Sequence, residues 1–412
     1  MKKITEKNKA QIIALREEGY GPSAIARKLG HPEWKDAIQK ITRRSVGPVK
    51  NNVDPIKAMQ SHIEQTRTYS AMLKAQKAVA GEMSFRESIG RMINEVVQPF
   101  KPQRTPSKPA PKKPGAIEET IVQMISDGHF GEIIDFEGTR GINRYDGKIA
   151  GQRLKRIVDS HLRVKRGLEK SGAWVLRKLI VVLGGDNVPG TIHEIERHTD
   201  GKNIVVVCAA SAHLLAEALI DLSEAYEEME VFCISGNHGR LPDHKKMPTK
   251  EPSRNWDTMI YLMVKAMLRD HKKIKFHVPN SYGVGFQIYK WNFCAYHGDS
   301  VPSWNSIPWY GLNRMMTNLN ALEASRGNFV HYWLFGHYHS YSSLSLNGGE
   351  SFINGSLCGA NEYVVNRLGR AERPMQLMFG VHKDHGVTHR WPLLGETGDR
   401  DPGYQWRSLA SL

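Results

Sequence analysis

Residues 230–240 read EVFCISGNHGR, an apolar run that leads directly into Gly236-Asn237-His238-Gly239-Arg240. Val, Phe, Cys and Ile dominate the run, which predicts a buried β-strand ending at the glycine. Asn237 then places a neutral amide beside an imidazole, an unusual pairing at the end of a strand. Because open α/β sheets bind ligands outside the carboxyl ends of their strands, this stretch predicts a polar site on such a sheet.

Four further strand ends carry polar motifs of the same kind. TIVQMIS runs into Asp127-Gly128-His129, KLIVVL into Gly184-Gly185-Asp186, NFCA into Tyr296-His297-Gly298-Asp299, and HYWLF into Gly336-His337-Tyr338-His339. Each motif alone has an ordinary explanation as a turn Asp or a hydrogen-bonded His. Together they gather carboxylates, an amide and imidazoles, and these donors suit Mn²⁺, Fe or Zn²⁺ better than Ca²⁺ or a thiolate-bound metal.

DxH, GD, GNH, HGD and GHxH, in this order and each behind an apolar strand, resemble the calcineurin-like metallophosphoesterase family over roughly residues 120–360. The resemblance implies an α/β fold, a two-sheet α/β/β/α sandwich, with two divalent metal ions. Mn²⁺ is the first expectation, and Fe or Zn²⁺ stay open. The implied ligands are Asp127, His129 and His339 for one metal, Asn237, His297 and His337 for the other, and Asp186 as the bridge. Two such metals bind a phosphate between them and activate a water for hydrolysis.

Two residues of the GNHGR stretch receive roles beyond metal binding. His238 resembles the family's general acid, which protonates or polarises the leaving oxygen; the alternative is a hydrogen-bonding loop residue. Many family members carry Asp or Glu after GNH, whereas this chain has Gly239 and Arg240, so the group that orients the histidine is not evident. Arg240 either binds a substrate phosphate through its guanidinium or lies in solvent. Asp299 is expected to support His297 without binding metal.

The positive charge is concentrated near the N-terminus. Residues 1–115 hold 23 Lys and Arg against 10 Asp and Glu, a balance of +13, which leaves 34 against 32, or +2, for residues 116–412. Helical spacing and Gly breaks over residues 1–50 predict a small all-α domain. Within it, ALREEGYGPSAIARKLG resembles the first two helices of resolvase- and repressor-like helix-turn-helix units. This predicts a nucleic-acid-binding appendage, with a solubilising tail as the alternative.

Changes in composition predict the rest of the domain organisation. We expect a helical connector over 51–100, a Pro- and Lys-rich linker over 101–115, a metallophosphoesterase catalytic domain over 116–395 and a polar tail over 396–412. In the catalytic domain, apolar strands alternate with helices, and the ambiguous segment 203–226 is predicted to be helical. We expect 286–295 to form one strand, and the strands near 375–381 and 386–391 to complete the second sheet.

The four cysteines form no CxxC pair, which argues against a disulfide frame or a zinc ribbon. We expect a cytoplasmic protein, within a bacterial host cell if a phage encodes it. No membrane association is expected, because no apolar run reaches the roughly 18–20 residues of a membrane span.

The substrate is predicted from the appendage together with the motifs. The chain looks like the phosphoesterases of bacteriophages and prophages and is similar in motif order to the nuclease of double-strand-break repair. With a basic N-terminal region, this favours a DNA endo- or exonuclease. The alternative enzyme is a phosphatase acting on phosphoprotein or nucleotide, with the N-terminal region as a partner-binding module. A DNA-binding protein with a vestigial metal site would need a broken ligand set. A homodimer and an ATPase partner stay open.

Overall fold

The computed structural model describes residues 4–18, 20–45, 87, 89–95, 97–100, 114–190, 204–241, 252, 254–301, 308–346 and 349–406. The chain divides into two compact units, Met1–Gly81 and Glu82–Leu412. Most of the expected connector and linker lies outside the described residues. The described part of the connector includes a helical stretch at 89–95.

The N-terminal unit contains three α-helices, α1 (Glu6–Glu17), α2 (Pro22–Lys28) and α3 (Lys35–Ser45), among its described residues. Thr5 caps α1: its hydroxyl accepts from the Asn8 N–H at 3.3 Å while the Asn8 side chain accepts from the Thr5 N–H at 3.1 Å. The helices enclose a small apolar core of Ile12, Ile25, Ala26, Trp34 and Ile38. The helices therefore match the sequence pattern, while DNA binding by this unit stays a prediction.

The first sheet of the larger unit is mostly parallel. Its strands are β1 (Ile117–Ile125), β2 (Trp174–Val175), β3 (Lys178–Leu183), β4 (Glu228–Cys233), β5 (Ile274–His277), β11 (Met375–His382) and β12 (Gly386–Leu394). They lie in the order β12-β11-β1-β3-β4-β5, with β2 beside β1. Because β1, β3, β4 and β5 are parallel, the DxH, GD and GNH motifs follow their strands at the same edge of the sheet.

The second sheet carries the remaining two motifs. Its strands are β6 (Gly283–Ile288), β7 (Trp291–Tyr296), β8 (Tyr332–Phe335), β9 (Ser342–Leu346) and β10 (Gly349–Ile353), in the order β6-β7-β8-β10-β9. β7 and β8 are parallel neighbours. His297 and His337 therefore follow adjacent strands at one edge of this sheet.

Beyond the connector, five helices of this unit lie among the described residues, and four of them pack on the sheets through apolar cores. The five are α4 (Gly147–Lys170), α5 (Ile204–Glu224), α6 (Trp256–Met267), α7 (Trp309–Ala324) and α8 (Glu362–Leu368). One apolar core joins the first sheet to α4, α5 and α6, a second lies between the sheets, and a third joins the second sheet to α7. The two-sheet α/β/β/α architecture predicted from the sequence is confirmed.

Two expectations about strands were wrong. Residues 286–295 do not form one strand, because a tight turn at Tyr289-Lys290 separates β6 from β7, with Tyr289 at a φ of 54°. This turn lacks the Asn-Gly or Asp-Gly pair that usually marks a hairpin, so it could not be predicted from the local sequence. The strands β11 and β12 join the first sheet, since β11 pairs antiparallel with β1. Pairing between segments about 250 residues apart carries no local signal.

The helix α5 confirms the helical prediction for 203–226. By length and composition alone this helix is apolar enough to cross a membrane, with a mean hydropathy of 1.9 over a window of 18 residues. No apolar run of this length was predicted from the sequence. However, 67% of that window is buried inside the protein, and core helices pass the same test.

Candidate metal centre

The structure brings together all seven residues predicted to bind metal. Asp127 and His129 follow β1, Asp186 follows β3, Asn237 follows β4, His297 follows β7, and His337 and His339 follow β8. The meeting point is the edge where the carboxyl ends of the parallel strands of both sheets lie. The donor atoms fall into overlapping groups, and Asp186 belongs both to a group with His129 and His238 and to a group with His297 and His337.

Asp186, Asn237 and His297 form the core of the first cluster. His297 Nε2 lies 2.9 Å from Asp186 Oδ2 and 3.0 Å from Asn237 Oδ1. Two ligands of one ion, each at about 2.0–2.2 Å and separated by about 90–109°, lie about 2.8–3.6 Å apart. Both distances fall inside this range, so His297 is spaced from Asp186 and from Asn237 as two ligands of one cation are. His337 completes the group, with a ring nitrogen within 4.8 Å of the donor atoms of Asp186 and His297.

Asp127, His129 and His339 form the second cluster. The Nε2 atoms of His129 and His339 lie 3.3 Å apart, and His339 Nε2 lies 3.5 Å from Asp127 Oδ1. These gaps also fall inside the range expected for two ligands of one ion. Glu132, which is buried, places its carboxylate 3.6 Å from His129 Nδ1, where carboxylates commonly orient metal-binding histidines.

Asp186 lies between the two clusters. Its carboxylate offers an oxygen within 4.8 Å of donor nitrogens of His129 and His238, and an oxygen within 4.8 Å of donor nitrogens of His297 and His337. Beside it, His129 Nδ1 faces the Glu132 carboxylate at 3.6 Å, so Nε2, which lies 3.3 Å from His339 Nε2, is the ring nitrogen turned toward the other donors. The residues present therefore fit divalent metals with oxygen and nitrogen ligands.

The backbone of the centre is strained. Seven non-glycine residues among those described have a positive φ, and five of them are candidate ligands with values between 42° and 67°: Asp127, His129, Asp186, His337 and His339. Such conformations cost about 1–3 kcal/mol each and concentrate at functional sites, where the surrounding structure holds them in place. The strain is evidence that the fold positions these side chains at a cost in stability.

The glycines of the GGD and GNH motifs are required by close packing. A Cβ on Gly236 would lie 2.1 Å from Asp186 Oδ1, and a Cβ on Gly185 would lie 2.4 Å from the Gly236 backbone nitrogen. Gly185 also has a φ of 93°, which side chains rarely tolerate. The two motifs can pack against each other only because neither residue has a side chain.

Asp257, in the first turn of α6, ties these two motifs together and was missed by the sequence reading. It is fully buried, and its carboxylate accepts from the backbone N–H groups of Asp186 at 3.0 Å, Gly236 at 2.8 Å and Asn187 at 2.9 Å. The Asn187 side chain donates a fourth hydrogen bond at 2.8 Å. Burial, and then the charge of Asp186, raise the pKa of Asp257. This carboxylate supports the GNH motif in a chain that has glycine at the position after GNH.

A buried polar network holds the opposite side of the centre. The Ser126 hydroxyl donates to Asp127 Oδ2, and Asn354 Nδ2 donates to the Ser126 oxygen at 2.9 Å. Gln376 accepts from Asn354 at 2.7 Å and from the Ser126 backbone N–H at 2.9 Å. Asp127 is thus oriented from three separate strands or strand ends, none of which the motifs indicate.

Charges within the centre shift its pKa values. Burial opposes ionisation of Asp186, but the imidazoles of His297 and His238 outweigh it and hold the pKa of Asp186 well below its usual range. Burial also opposes charging of His297, yet the carboxylates, led by Asp186, raise the pKa of His297 to about 10. Burial and the charge on His297 lower the pKa of His337 to about 4. A bound cation would replace the proton held between His297 and Asp186, because metal ligands must be deprotonated.

His238 and Arg240 lie at the same edge as the clusters. The His238 ring packs edge-on against the His129 ring with centroids 4.6 Å apart, and its Nδ1 lies 2.6 Å from the Pro189 carbonyl oxygen. His238 Nε2 lies 3.9 Å from Asp186 Oδ2. Arg240 forms an ion pair with Asp299, which links the GNHGR stretch to the HGD motif. The motifs predicted both residues, but the partner of Arg240 only became visible in the structure.

No family model matches the chain, and no curated protein matches it. Among solved structures, the chain is similar to wild-type Vps29 complexed with Zn²⁺ from Entamoeba histolytica, at 12% identity and a TM-score of 0.28, covering 66% of this chain and 99% of that one. It is similar to an archaeal phosphodiesterase at 9% identity and a TM-score of 0.29, covering 66% and 99%. It is also similar to a predicted phosphoesterase from Streptococcus pneumoniae at 11% identity and a TM-score of 0.26, covering 67% and 99%. These sequence identities and TM-scores are too low to assign the chain to a family.

Proposed function

We propose that the protein is a calcineurin-like metallophosphoesterase that hydrolyses phosphodiester bonds in DNA. The observation that carries the proposal is the position of Asp186, whose carboxylate belongs to one donor group with His129 and to another with His297 and His337. Asp127, His129 and His339 would hold one divalent cation, Asn237, His297 and His337 the other, and Asp186 would bridge them. When bound, such cations neutralise phosphate charge and lower the pKa of an attacking water.

His238 is the proposed general acid. The Pro189 carbonyl accepts a hydrogen bond from Nδ1–H, which fixes the ring and leaves Nε2 on the side of Asp186. A protonated imidazole in this orientation donates Nε2–H to the leaving oxygen, a contribution of about 10²–10⁴ in rate for a positioned acid. The 11% exposure of the side chain means that it lies at the rim of the centre, where a substrate reaches it.

Arg240 is the proposed phosphate-binding residue. Its guanidinium is 23% exposed and uses one terminal nitrogen for the ion pair with Asp299. Arginine has five N–H donors in a planar fork, and the described residues show one of its nitrogens bound to Asp299, so a second oxygen ligand could use the others. Asp299 would then hold the guanidinium in position while a phosphate oxygen binds its other donors.

The choice of DNA rests on charge. Residues 1–115 carry a balance of +13, and Lys35 and Lys40 are exposed on α3 of the N-terminal unit. Contacts between such residues and phosphates raise affinity for any nucleic acid, whereas a phosphatase of small nucleotides gains little from them. Mn²⁺ is the proposed metal, and the donor set also accommodates Fe or Zn²⁺.

The test is cleavage of labelled single- and double-stranded DNA, linear and circular, with Mn²⁺ present. Asp186→Ala and His238→Ala are expected to abolish or strongly reduce the cleavage that the wild type shows. The double variant Lys35→Glu/Lys40→Glu is the charge control. It should weaken DNA binding and leave hydrolysis of a small phosphodiester unchanged. The plot of the logarithm of DNA affinity against the logarithm of salt concentration should become less steep, by about 0.9 for each phosphate that is no longer neutralised.

The outcomes separate the substrates. Cleavage of circular DNA identifies an endonuclease, and cleavage of linear DNA alone identifies an exonuclease. Intact DNA together with hydrolysis of a small phosphodiester or phosphomonoester refutes the nuclease and favours the phosphatase. Full DNA cleavage by Asp186→Ala would place the chemistry elsewhere in the chain.

A further inference from the structure

Cys358 lies at the metal centre although no motif contains it. Its sulfur is within 4.8 Å of a ring nitrogen of His129 and of His339. The residue is fully buried, and its thiol makes a weak hydrogen bond of 3.4 Å to the Gly359 carbonyl. In the same cluster, His129 turns its Nε2 toward His339 Nε2 at 3.3 Å, while its Nδ1 faces the Glu132 carboxylate at 3.6 Å. A sulfur donor thus lies in one cluster with two imidazoles whose Nε2 atoms are spaced as ligands of one ion.

The loop that carries Cys358 is held by the backbone of the predicted ligands. The Leu357 N–H donates to the Asp127 carbonyl at 3.0 Å, and the Ser356 N–H donates to the His339 carbonyl at 3.2 Å. Each hydrogen bond connects the loop to a different strand end. The sulfur is therefore positioned by the same two chain segments that position Asp127 and His339.

The other side of the loop is anchored in the core. The Cys358 carbonyl accepts hydrogen bonds from Asn143 Nδ2 at 2.9 Å and Arg153 Nη1 at 2.5 Å. Asn143 and Arg153 are both at least nine-tenths buried and are bonded to each other at 2.7 Å. With its backbone fixed on both sides, the loop offers Cys358 little freedom to move away from the two histidines.

We propose that the Cys358 thiolate is a further ligand of the cation held by Asp127, His129 and His339. This inference rests on the proposed metal centre. As the sulfur–metal bond forms, the thiol proton passes to the solvent, and no electron is transferred. A thiolate beside imidazoles favours Zn²⁺, Fe²⁺ or Co²⁺ over Mn²⁺, while the cluster of Asn237 and His297 keeps only oxygen and nitrogen donors. The two positions would therefore differ in metal preference: Mn²⁺, the proposed metal, suits the position of Asn237 and His297, and Zn²⁺, Fe²⁺ or Co²⁺ would be preferred beside Cys358.

The test is a Co²⁺ titration of the full-length chain after a chelator has stripped it of metal. Sulfur bonded to Co²⁺ produces a charge-transfer absorption in the near ultraviolet, which oxygen and nitrogen ligands do not produce. The wild type should develop this band, and Cys358→Ser and Cys358→Ala should bind Co²⁺ without it. Cys208→Ser, which removes a thiol from the helical core at 2% exposure, should retain the band.

Metal competition supplies a second readout. Cys358→Ser should lose at least about tenfold in Zn²⁺ affinity, the loss that even an outer partner of a metal ligand brings, with a much smaller change for Mn²⁺. Co²⁺ binding by the wild type without the band overturns the thiolate ligand and leaves the proposed metal centre standing. A band that persists in both Cys358 variants also overturns it. If the wild type binds no Co²⁺, the proposed metal centre itself fails.

Discussion

Replacing Asp257 with Asn tests whether the tie between the GGD and GNH motifs governs metal binding. The carboxylate accepts four hydrogen bonds, two at each oxygen: Oδ2 from Asp186 N and Gly236 N, and Oδ1 from both nitrogens of Asn187. An asparagine has one acceptor oxygen, so either orientation leaves two N–H donors facing an NH₂ group. Hydrogen bonds to a charged group contribute about 1.5–3 kcal/mol each, so the loss is about 3 kcal/mol or more.

Relief of repulsion offsets part of this loss. Asp257 and Asp186 are two buried carboxylates, and the charge of Asp186 raises the pKa of Asp257. Removing one charge therefore returns some free energy, and we expect a net decrease in unfolding free energy of about 2–4 kcal/mol. Because Asp186 and the loop of Asn237 lose their orientation, the affinity for Mn²⁺ should fall by about 10- to 100-fold.

The assay is Mn²⁺ binding by calorimetry at a temperature where both proteins are folded, together with a thermal melt. Asp159→Asn is the matched control, since Asp159 lies on α4 in a half-exposed ion pair with Lys155. Asp159→Asn should change neither the free energy of Mn²⁺ binding nor the free energy of unfolding by more than about 0.5 kcal/mol. Wild-type Mn²⁺ affinity in Asp257→Asn would refute the argument that this carboxylate positions the metal ligands.

Three further predictions follow from the same geometry. His238→Ala should lower kcat on DNA by about 10²–10⁴ and leave metal affinity unchanged, with a much smaller loss on a nitrophenyl diester, whose leaving group needs no acid; equal losses on both substrates would contradict the acid role. Gly236→Ala should lower the free energy of unfolding by about 1–3 kcal/mol and weaken metal binding, because the added Cβ would lie 2.1 Å from Asp186 Oδ1. Gly167→Ala is the control: the space around its Cβ is open, so it should raise the free energy of unfolding by about 0.5–1 kcal/mol in the same melts. Burial first, and Lys165 second, lower the pKa of His161 to about 3, so the folded protein keeps this ring neutral while the unfolded chain protonates near its ordinary value of 6.5. The free energy of unfolding therefore has its full value above about pH 6.5 and decreases by about 1.4 kcal/mol per pH unit as the pH falls towards 3. Denaturant melts at several pH values should show a shallower decrease of the unfolding free energy for His161→Gln. The same pH dependence in both proteins would show that His161 does not titrate in this way.

Much of the fold was predictable because its strands are buried. The apolar runs before Asp127, Asp186 and His337 are short and rich in β-branched and aromatic residues, and each is a strand. The predictions failed where partners are distant or turns are unmarked. Tyr289 occupies a hairpin turn without the glycine or asparagine that would reveal it, and β11 pairs with β1 across most of the domain.

The sequence by itself determined which donors follow which strands, and the parallel order of those strands then requires the donors to meet at one edge. Only the tertiary structure decided the spacing of the donors, from 2.9 Å between His297 and Asp186 to 3.5 Å between His339 and Asp127. It also revealed Asp257 and Cys358, which lie outside every motif. The physical reason is that strand and motif patterns are local, whereas hydrogen bonds across loops and the approach of a sulfur to two imidazoles depend on segments that meet only after the sheets have packed.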